Sequence, residues 1–144
     1  MPSPITFYSH DISFVLKQKG LIRQWIEATI AEEGKLVGEI SYMFGNDKYV
    51  LRINQEFLQH NFLTDIITFD YCENQIISGD IVISIDRVKE NAGIFKVNFE
   101  QELHRVLIHG ILHLCGYKDK NKKEEAQMRA KEDYYLQKFP IKIM

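Results

Sequence analysis

The stretch HGILHLCGYKD, residues 109 to 119, concentrates the groups of this chain that could do chemistry. His109 and His113 are four residues apart, so on a helix they share one face, one turn apart, and their imidazoles can converge on a single ion. Two donors from one helix arrive already oriented, which lowers the entropic cost of ordering them around a metal. The next turn of that helix points away, so a third donor must come from elsewhere. Gly116 supplies the break, because it can take a positive φ, end the helix and swing the chain back. Asp119 then falls where a loop carboxylate could complete the set. Three protein donors leave a fourth position for water or substrate, the arrangement of catalytic rather than structural zinc. Taken singly, each histidine reads as a core-edge residue and Asp119 as a surface acid. The full spacing, glycine included, is what points to a metal.

The neighbours of this stretch are weaker candidates. Gly110 stands where HExxH peptidases carry the glutamate that takes a proton from metal-bound water. Glycine cannot do this, and inside a helix it costs ~1 kcal/mol relative to alanine. A packing or functional gain is therefore expected there, such as another backbone or a substrate passing close. The peptidase reading accordingly falls below a phosphodiesterase one. Cys115 departs from the direction of the two histidines and reads as a structural thiol. His104, roughly 140° around the helix from His109, points away from them. His60 sits in a polar loop and could reach the site only by tertiary contact.

At 144 residues the chain fits one domain, residues 1–144, long enough to bury a sizeable core. No apolar run approaches the ~20 residues that span a bilayer. MPSPITFY has neither the basic nor the apolar region of a signal peptide, so a cytoplasmic protein is expected. Cys72 and Cys115 form no CxxC pair and no disulfide framework, in keeping with a reducing compartment. The net charge of −2 argues against a broadly basic, nucleic-acid-binding surface. KDKNKK, residues 118 to 123, packs four lysines against one aspartate, and its simplest reading is a solvated helix entrance.

The elements that must position the site follow from periodicity. ITFYS reads as a strand. Leu21 to Glu33 carries apolar residues at 21, 22, 25, 26 and 30, the stripe of an amphipathic helix, with Gly34 behind it as a C-cap. KLVGEISYMF alternates as a strand ending at the turn GND, and KYVLRINQEFL reads as a short helix. TDIITF and GDIVISI, dense in β-branched residues, are strands. DRVKENAGIF is a helix with Asp86 as its N-cap. Asn98 with Gln101 makes a capping box that opens the helix holding His109 and His113. Asn121 with Glu124 repeats the device and opens a last helix to about Phe139, before Pro140. Three to four strands with four to five helices, without strict βαβ alternation, predict an α+β domain built on a small mixed sheet.

HGILHLCGYKD also resembles the HGxLHLxGYDH signature of the YbeY family of bacterial metallo-endoribonucleases. NQEFLQHNFLTDIITF is similar to that family's N-x-x-Y-R-x-x-D-x-P-T-D-V-L-S-F segment, and SGDIVIS to its LGDIVIS strand. The tail, with Glu125, Met128, Glu132 and Leu136, is similar to its final helix, so the resemblance spans residues 36 to 136 in order. It implies a zinc-dependent endoribonuclease specific for single-stranded RNA. The implied role is ribosomal RNA processing, notably 16S 3′-end maturation, and ribosome quality control. The implied partners are the small ribosomal subunit and its assembly factors.

By position, His109 and His113 match the first two ligand histidines of that family, and Asp119 stands where its third histidine belongs. Aspartate can ligate zinc, yet it hardens the site and admits manganese or another divalent ion. Leu58 falls where the family has an arginine thought to serve activity, and leucine cannot clamp a phosphate as arginine does. Arg52, Lys118 and Lys120 are the candidates, by sequence proximity, to supply that cation. Asn61 and Leu63 replace an aspartate and a proline. Thr64 and Asp65 match the family's T-D pair and are candidates for the groove or the general base, a turn-fixing role being equally open. Asp80 reads as a turn or network acid. Phe57 and Tyr117 read as core aromatics, with base stacking the alternative. Two other functions stay open. One is a small zinc metallopeptidase. The other is a non-catalytic ribosome-assembly factor whose metal only fastens loop to helix.

Overall fold

The computed structural model describes residues 4–139, so Pro140 and its expected role as a stop lie outside the described residues. Four strands form one sheet in the order β1-β2-β4-β3. Strands β1 (Ile5–Ser9), β2 (Leu36–Gly45) and β4 (Ile76–Ser84) run parallel, and β3 (Ile66–Asp70) pairs antiparallel with β4 at the edge. Five helices complete the domain: α1 (Lys19–Glu32), α2 (Asp47–Leu58), α3 (Ile85–Phe95), α4 (Phe99–Leu114) and α5 (Lys122–Leu136). The mixed sheet and five helices are the α+β architecture expected from the sequence.

Strand β4 shows why both faces of the sheet are covered. Ile81, Val82 and Ile83 are consecutive and fully buried, as a strand clothed on both sides requires. Ile81 and Ile83 face the main core, where they meet Ile22, Ile26 and Ile30 of α1 and Leu107 and Ile111 of α4. Val82 faces the other way, into a smaller cluster with Ile67 of β3 and Val50 of α2. Helices α2 and α4 thus lie on opposite faces of the sheet. Two buried hydrogen bonds pin the main layer. Tyr42 of β2 donates its hydroxyl to the Leu107 carbonyl at 2.8 Å, and the Trp25 indole donates to the Tyr135 carbonyl at 2.8 Å. The second bond seats α5 against α1.

The helix starts were partly legible. Asn98 and Gln101 form the expected capping box, with the Gln101 amide donating to Asn98 at 2.8 Å and the Asn98 amide to Gln101 at 3.0 Å. Four expectations are corrected. Asn46 of the supposed GND turn caps α2 directly, accepting from the Tyr49 amide at 2.8 Å. Ser84, not Asp86, caps α3, and Asp86 instead accepts from the Asp47 amide at the start of α2 at 2.9 Å. Asn121 caps α5, but Glu124 accepts from the Lys120 amide at 3.0 Å, so only half of a second capping box forms. Helix α5 also stops at Leu136, three residues short of Phe139.

Candidate metal centre

Helix α4 is buried nearly all round, and its least covered edge carries His109 and His113, whose ring centroids are 4.7 Å apart. The chain leaves α4 through a Schellman turn. Gly116 takes φ +112°, its amide donates to the His113 carbonyl, and the Tyr117 amide donates to the Leu112 carbonyl, both at 3.0 Å. That reversal brings Asp119 back onto the histidines. Its Oδ2 lies 3.3 Å from Nε2 of His109 and 3.3 Å from Nε2 of His113. One ligand atom from each of the three lies within 4.8 Å of the other two, and among the described residues no fourth His, Cys, Asp or Glu joins them.

The spacing fits an ion. Zinc bonds of ~2.0–2.1 Å at tetrahedral angles set neighbouring donors about 3.3–3.4 Å apart, whereas a strong ionic hydrogen bond draws them to about 2.7–2.9 Å. The two nitrogen–oxygen separations match the first figure. Two imidazoles and one carboxylate are also a donor set that zinc and neighbouring divalent metals accept.

Behind the donors stands a residue that sequence reasoning placed only within a resembling tail. Glu132 of α5 is 4 % exposed, and its Oε2 lies 2.6 Å from Nδ1 of His109. With Nδ1 donating to this carboxylate, Nε2 keeps its lone pair toward Asp119, the tautomer a metal-binding histidine needs. The other oxygen of Glu132 accepts from Arg105 Nη1 at 2.8 Å, and Arg105 Nη2 donates to Asp133 at 3.2 Å. Burial raises the Glu132 carboxyl, but the hydrogen bonds from His109 and Arg105 outweigh it and hold the group below the ordinary glutamate value. Burial disfavours a charged His109, yet Glu132 and Asp119 overcome it and raise the imidazole above its usual value. The signal that could have found Glu132 is the buried stripe Met128, Glu132, Tyr135, an acid at helical spacing among apolar residues.

The donors open on a cleft of about 400 Å³ lined by Thr64, Asp65, Asn91, Phe95 and Glu102, among others. Thr64 and Asp65 therefore line the cleft beside the donors. The Asp65 carbonyl accepts from the Ser84 amide at 2.9 Å, and its side chain accepts from Asn91 at 3.4 Å. Burial raises the Asp65 carboxyl, with His109 pulling the other way. Arg52, Lys118 and Lys120 line neither this cleft nor the wider groove beside it. Arg52 instead lies 5.7 Å from the ring of Tyr49 on its own helix, and both lysines are exposed. Leu58 lines neither space. The cations that do are Arg105, Arg129 and Lys122.

The remaining candidates have structural settings. His104 is buried, stacked on Phe139 with centroids 4.4 Å apart, and burial depresses it to about 4. His60 stacks on Phe62 at 5.2 Å. Burial pushes the Cys115 thiol up to about 12, so it is no ready nucleophile. Tyr117 anchors the loop that carries Asp119, donating to Glu33 at 2.8 Å, while Tyr135 and Lys131 of α5 donate to the same carboxylate. Phe57, expected in the core, is instead mostly exposed and meets Phe69 edge-on at 6.1 Å. Gly110 has a definite cause. A Cβ there would lie 3.0 Å from two carbons of Ile81 and 3.1 Å from Ile66 Cδ1. The glycine lets α4 settle onto β3 and β4. Side chains of the sheet pass close, in place of the backbone or substrate that was expected.

Fold and donor set together define a class: an α+β domain with a candidate two-histidine, one-carboxylate metal site at the mouth of a polar cleft. Comparison with known proteins narrows it. The family model described as Endoribonuclease YbeY matches residues 5–140, and the chain belongs to that family. It is 53% identical over 132 residues to Endoribonuclease YbeY of Porphyromonas gingivalis, covering 92% of this chain and 87% of that one. With the Flavobacterium psychrophilum protein of the same name it shares 50% identity over 135 residues, 94% and 96% of the two chains. The solution structure of TM1509 from Thermotoga maritima superposes with a TM-score of 0.67 at 28% identity, over 94% of this chain and 88% of that one.

Proposed function

We propose that this protein is a metal-dependent endoribonuclease acting on single-stranded RNA. The carrying observation is the trio His109, His113 and Asp119, spaced for a divalent ion and facing a polar cleft. Its curated relatives are named endoribonucleases. Ribosomal RNA is the substrate, with the 16S 3′ end as the site of processing, and the small ribosomal subunit with its assembly factors is the setting. The location is cytoplasmic, and no helix among the described residues is long and apolar enough to cross a membrane.

His109, His113 and Asp119 would hold one ion per chain, zinc first by donor type, with another divalent metal admitted by the carboxylate. When bound, the ion supplies Lewis-acid polarisation of a phosphodiester and a lowered pKa for water. The chain's own residues do the rest. Glu132 orients the His109 ring and fixes its tautomer, and Arg105 keeps Glu132 ionised and in place. Asp65, raised by burial and held by Asn91, is the candidate general base, since a carboxylate with an elevated pKa takes a proton more readily near neutral pH. Thr64 donates its hydroxyl to the Ile66 carbonyl at 3.3 Å and shapes the wall beside it. The peptidase alternative loses ground at position 110, where even the first side-chain carbon of a glutamate would crowd Ile81 and Ile66.

The test is cleavage of single-stranded RNA by the purified protein, with and without chelator, beside a folded His113→Ala variant. Cleavage should be lost in both the chelator and variant lanes. Equal cleavage in all three refutes the proposal.

A further inference from the structure

Two spaces meet at the donor trio. The first is the cleft already described, between α3, β3 and α4. The second is a groove of about 560 Å³ along the N-terminal half of α5, and the two share His109, Asp119, Arg129 and Glu132. A strand lying over the trio would therefore leave one space and enter the other past Arg129, which lines both. The walls are acidic, since Asp65, Glu102 and Glu132 line the first space and Glu125 the second. A polyanion crossing them needs cations that are not already spent.

Arg105 is spent: it donates hydrogen bonds to Glu132 and Asp133, and its Nε lies 3.9 Å from Glu102 Oε1. Arg129 is not. Its side chain is 54% exposed, and its single carboxylate partner within 4.0 Å is Glu132 Oε1 at 3.7 Å, an oxygen that already accepts from Arg105. Among the described residues the Arg129 side chain makes no hydrogen bond, and neither Glu125 nor any other acid pairs with Lys122 within 4.0 Å. Lys122, Ala126 and Arg129 recur at i, i+4 and i+7, so they share one face of α5, with the small Ala126 side chain between the two cations.

We propose that this face of α5 is a binding subsite for an RNA phosphodiester flanking the one at the metal centre, with Arg129 as its bidentate anchor and Lys122 as the outer cation. The guanidinium fork matches two phosphate oxygens at once, and its place in the lining of both spaces sets the register of the strand over the trio. The inference rests on the RNA reading above. Arg129 is a positioning residue: it holds the substrate and takes no part in bond cleavage.

The experiment uses the full chain and a labelled single-stranded RNA oligonucleotide, followed by fluorescence anisotropy in chelator across a salt series. Cleavage kinetics of the metal-loaded protein run alongside. The variants are Arg129→Gln, Arg129→Lys and Lys122→Gln, with Lys17→Gln as a surface control away from both spaces, all compared at equal thermal midpoints. Arg129→Gln should raise KM about tenfold with kcat nearly unchanged, the loss of one charged bidentate contact. It should also lower the slope of log affinity against log salt by about 0.7, the single-strand value for one phosphate. Arg129→Lys should restore the slope but not the whole affinity, and Lys122→Gln should lower the slope without needing position 129 at all. Slopes and KM values equal to wild type in both the Arg129→Gln and Lys122→Gln variants would overturn the subsite. A wild type that binds RNA with the expected slopes yet cuts nothing would leave the subsite standing and remove the nuclease reading instead.

Discussion

Position 110 gives the sharpest test of how the fold holds the site. Adding a Cβ there puts it 3.0 Å from Ile81 Cδ1 and Cγ2 and 3.1 Å from Ile66 Cδ1, where carbon contacts are comfortable at about 3.5–4.0 Å. Each neighbour must give by a few tenths of an ångström or α4 must lift. Overpacking of this kind costs ~1–3 kcal/mol, against ~1 kcal/mol recovered from helix propensity. Gly110→Ala should therefore lose ~0–2 kcal/mol. Gly110→Glu, which restores the peptidase motif on paper, drives a carboxylate toward the same isoleucines. Burying an unpaired charge adds several kcal/mol more, for a total of at least ~4 kcal/mol. At ~2–4 °C per kcal/mol for a domain of this size, alanine lowers the midpoint by up to about 8 °C, and glutamate lowers it by more than about 10 °C or prevents folding. Thermal unfolding followed by circular dichroism in chelator reads both. A Gly110→Glu protein that melts with wild type, or that gains peptide cleavage, would show that space exists there and that packing is not why position 110 is glycine.

Three further outcomes are expected. Glu132→Gln should weaken zinc binding by ~10–100-fold in competition with a chromophoric chelator, because Nδ1 of His109 loses its carboxylate; unchanged affinity would remove Glu132 from the site. Gly116→Val places a β-branched residue at φ +112°, at a cost of at least ~1–2 kcal/mol in urea unfolding, and should also displace Asp119 and weaken metal binding; a variant of wild-type stability would refute the strain argument. His104 binds its proton at about 4 in the native protein and near 6.5 when unfolded, so between those values the unfolded chain holds the extra proton and stability falls as pH falls. The gap, at ~1.36 kcal/mol per pH unit, makes this contribution ~3 kcal/mol, complete above about pH 6.5 and lost by about pH 4; His104→Phe should flatten that part of a stability–pH profile, and an unchanged slope would contradict it.

What the sequence made legible was local. One helical turn fixes the relation of His109 to His113, and one positive φ at Gly116 fixes the return of the chain, so the trio could be written down before any tertiary contact was known. The Asn98–Gln101 capping box is legible for the same reason, since its partners are three residues apart. The choice between Ser84 and Asp86 was not. Both are capping residues, and what decides is that Asp86 accepts from the Asp47 amide, 39 residues away in the chain. Arg52 failed as a cleft cation for a similar reason. It is close in sequence to the Thr64–Asp65 pair, but α2 packs through Val50 on the face of the sheet opposite α4.

Glu132 shows where a sequence can say more than its local pattern admits. Met128, Glu132 and Tyr135 lie at i, i+4 and i+7 and all are buried, so this face of α5 must pack against something. A carboxylate within such a face is too costly to leave unpaired, and its neighbours must therefore include a cation or a donor. In this chain the histidine pair and Arg105 stand one to two turns apart on a single preceding helix, joined to α5 by a short loop. An antiparallel packing of α4 and α5 that satisfies Glu132 also orients His109, so one acid both fixes how the two helices meet and sets which nitrogen of the histidine is free for the metal. The same packing turns Lys122 and Arg129, which share another face of α5, toward the groove beside the trio.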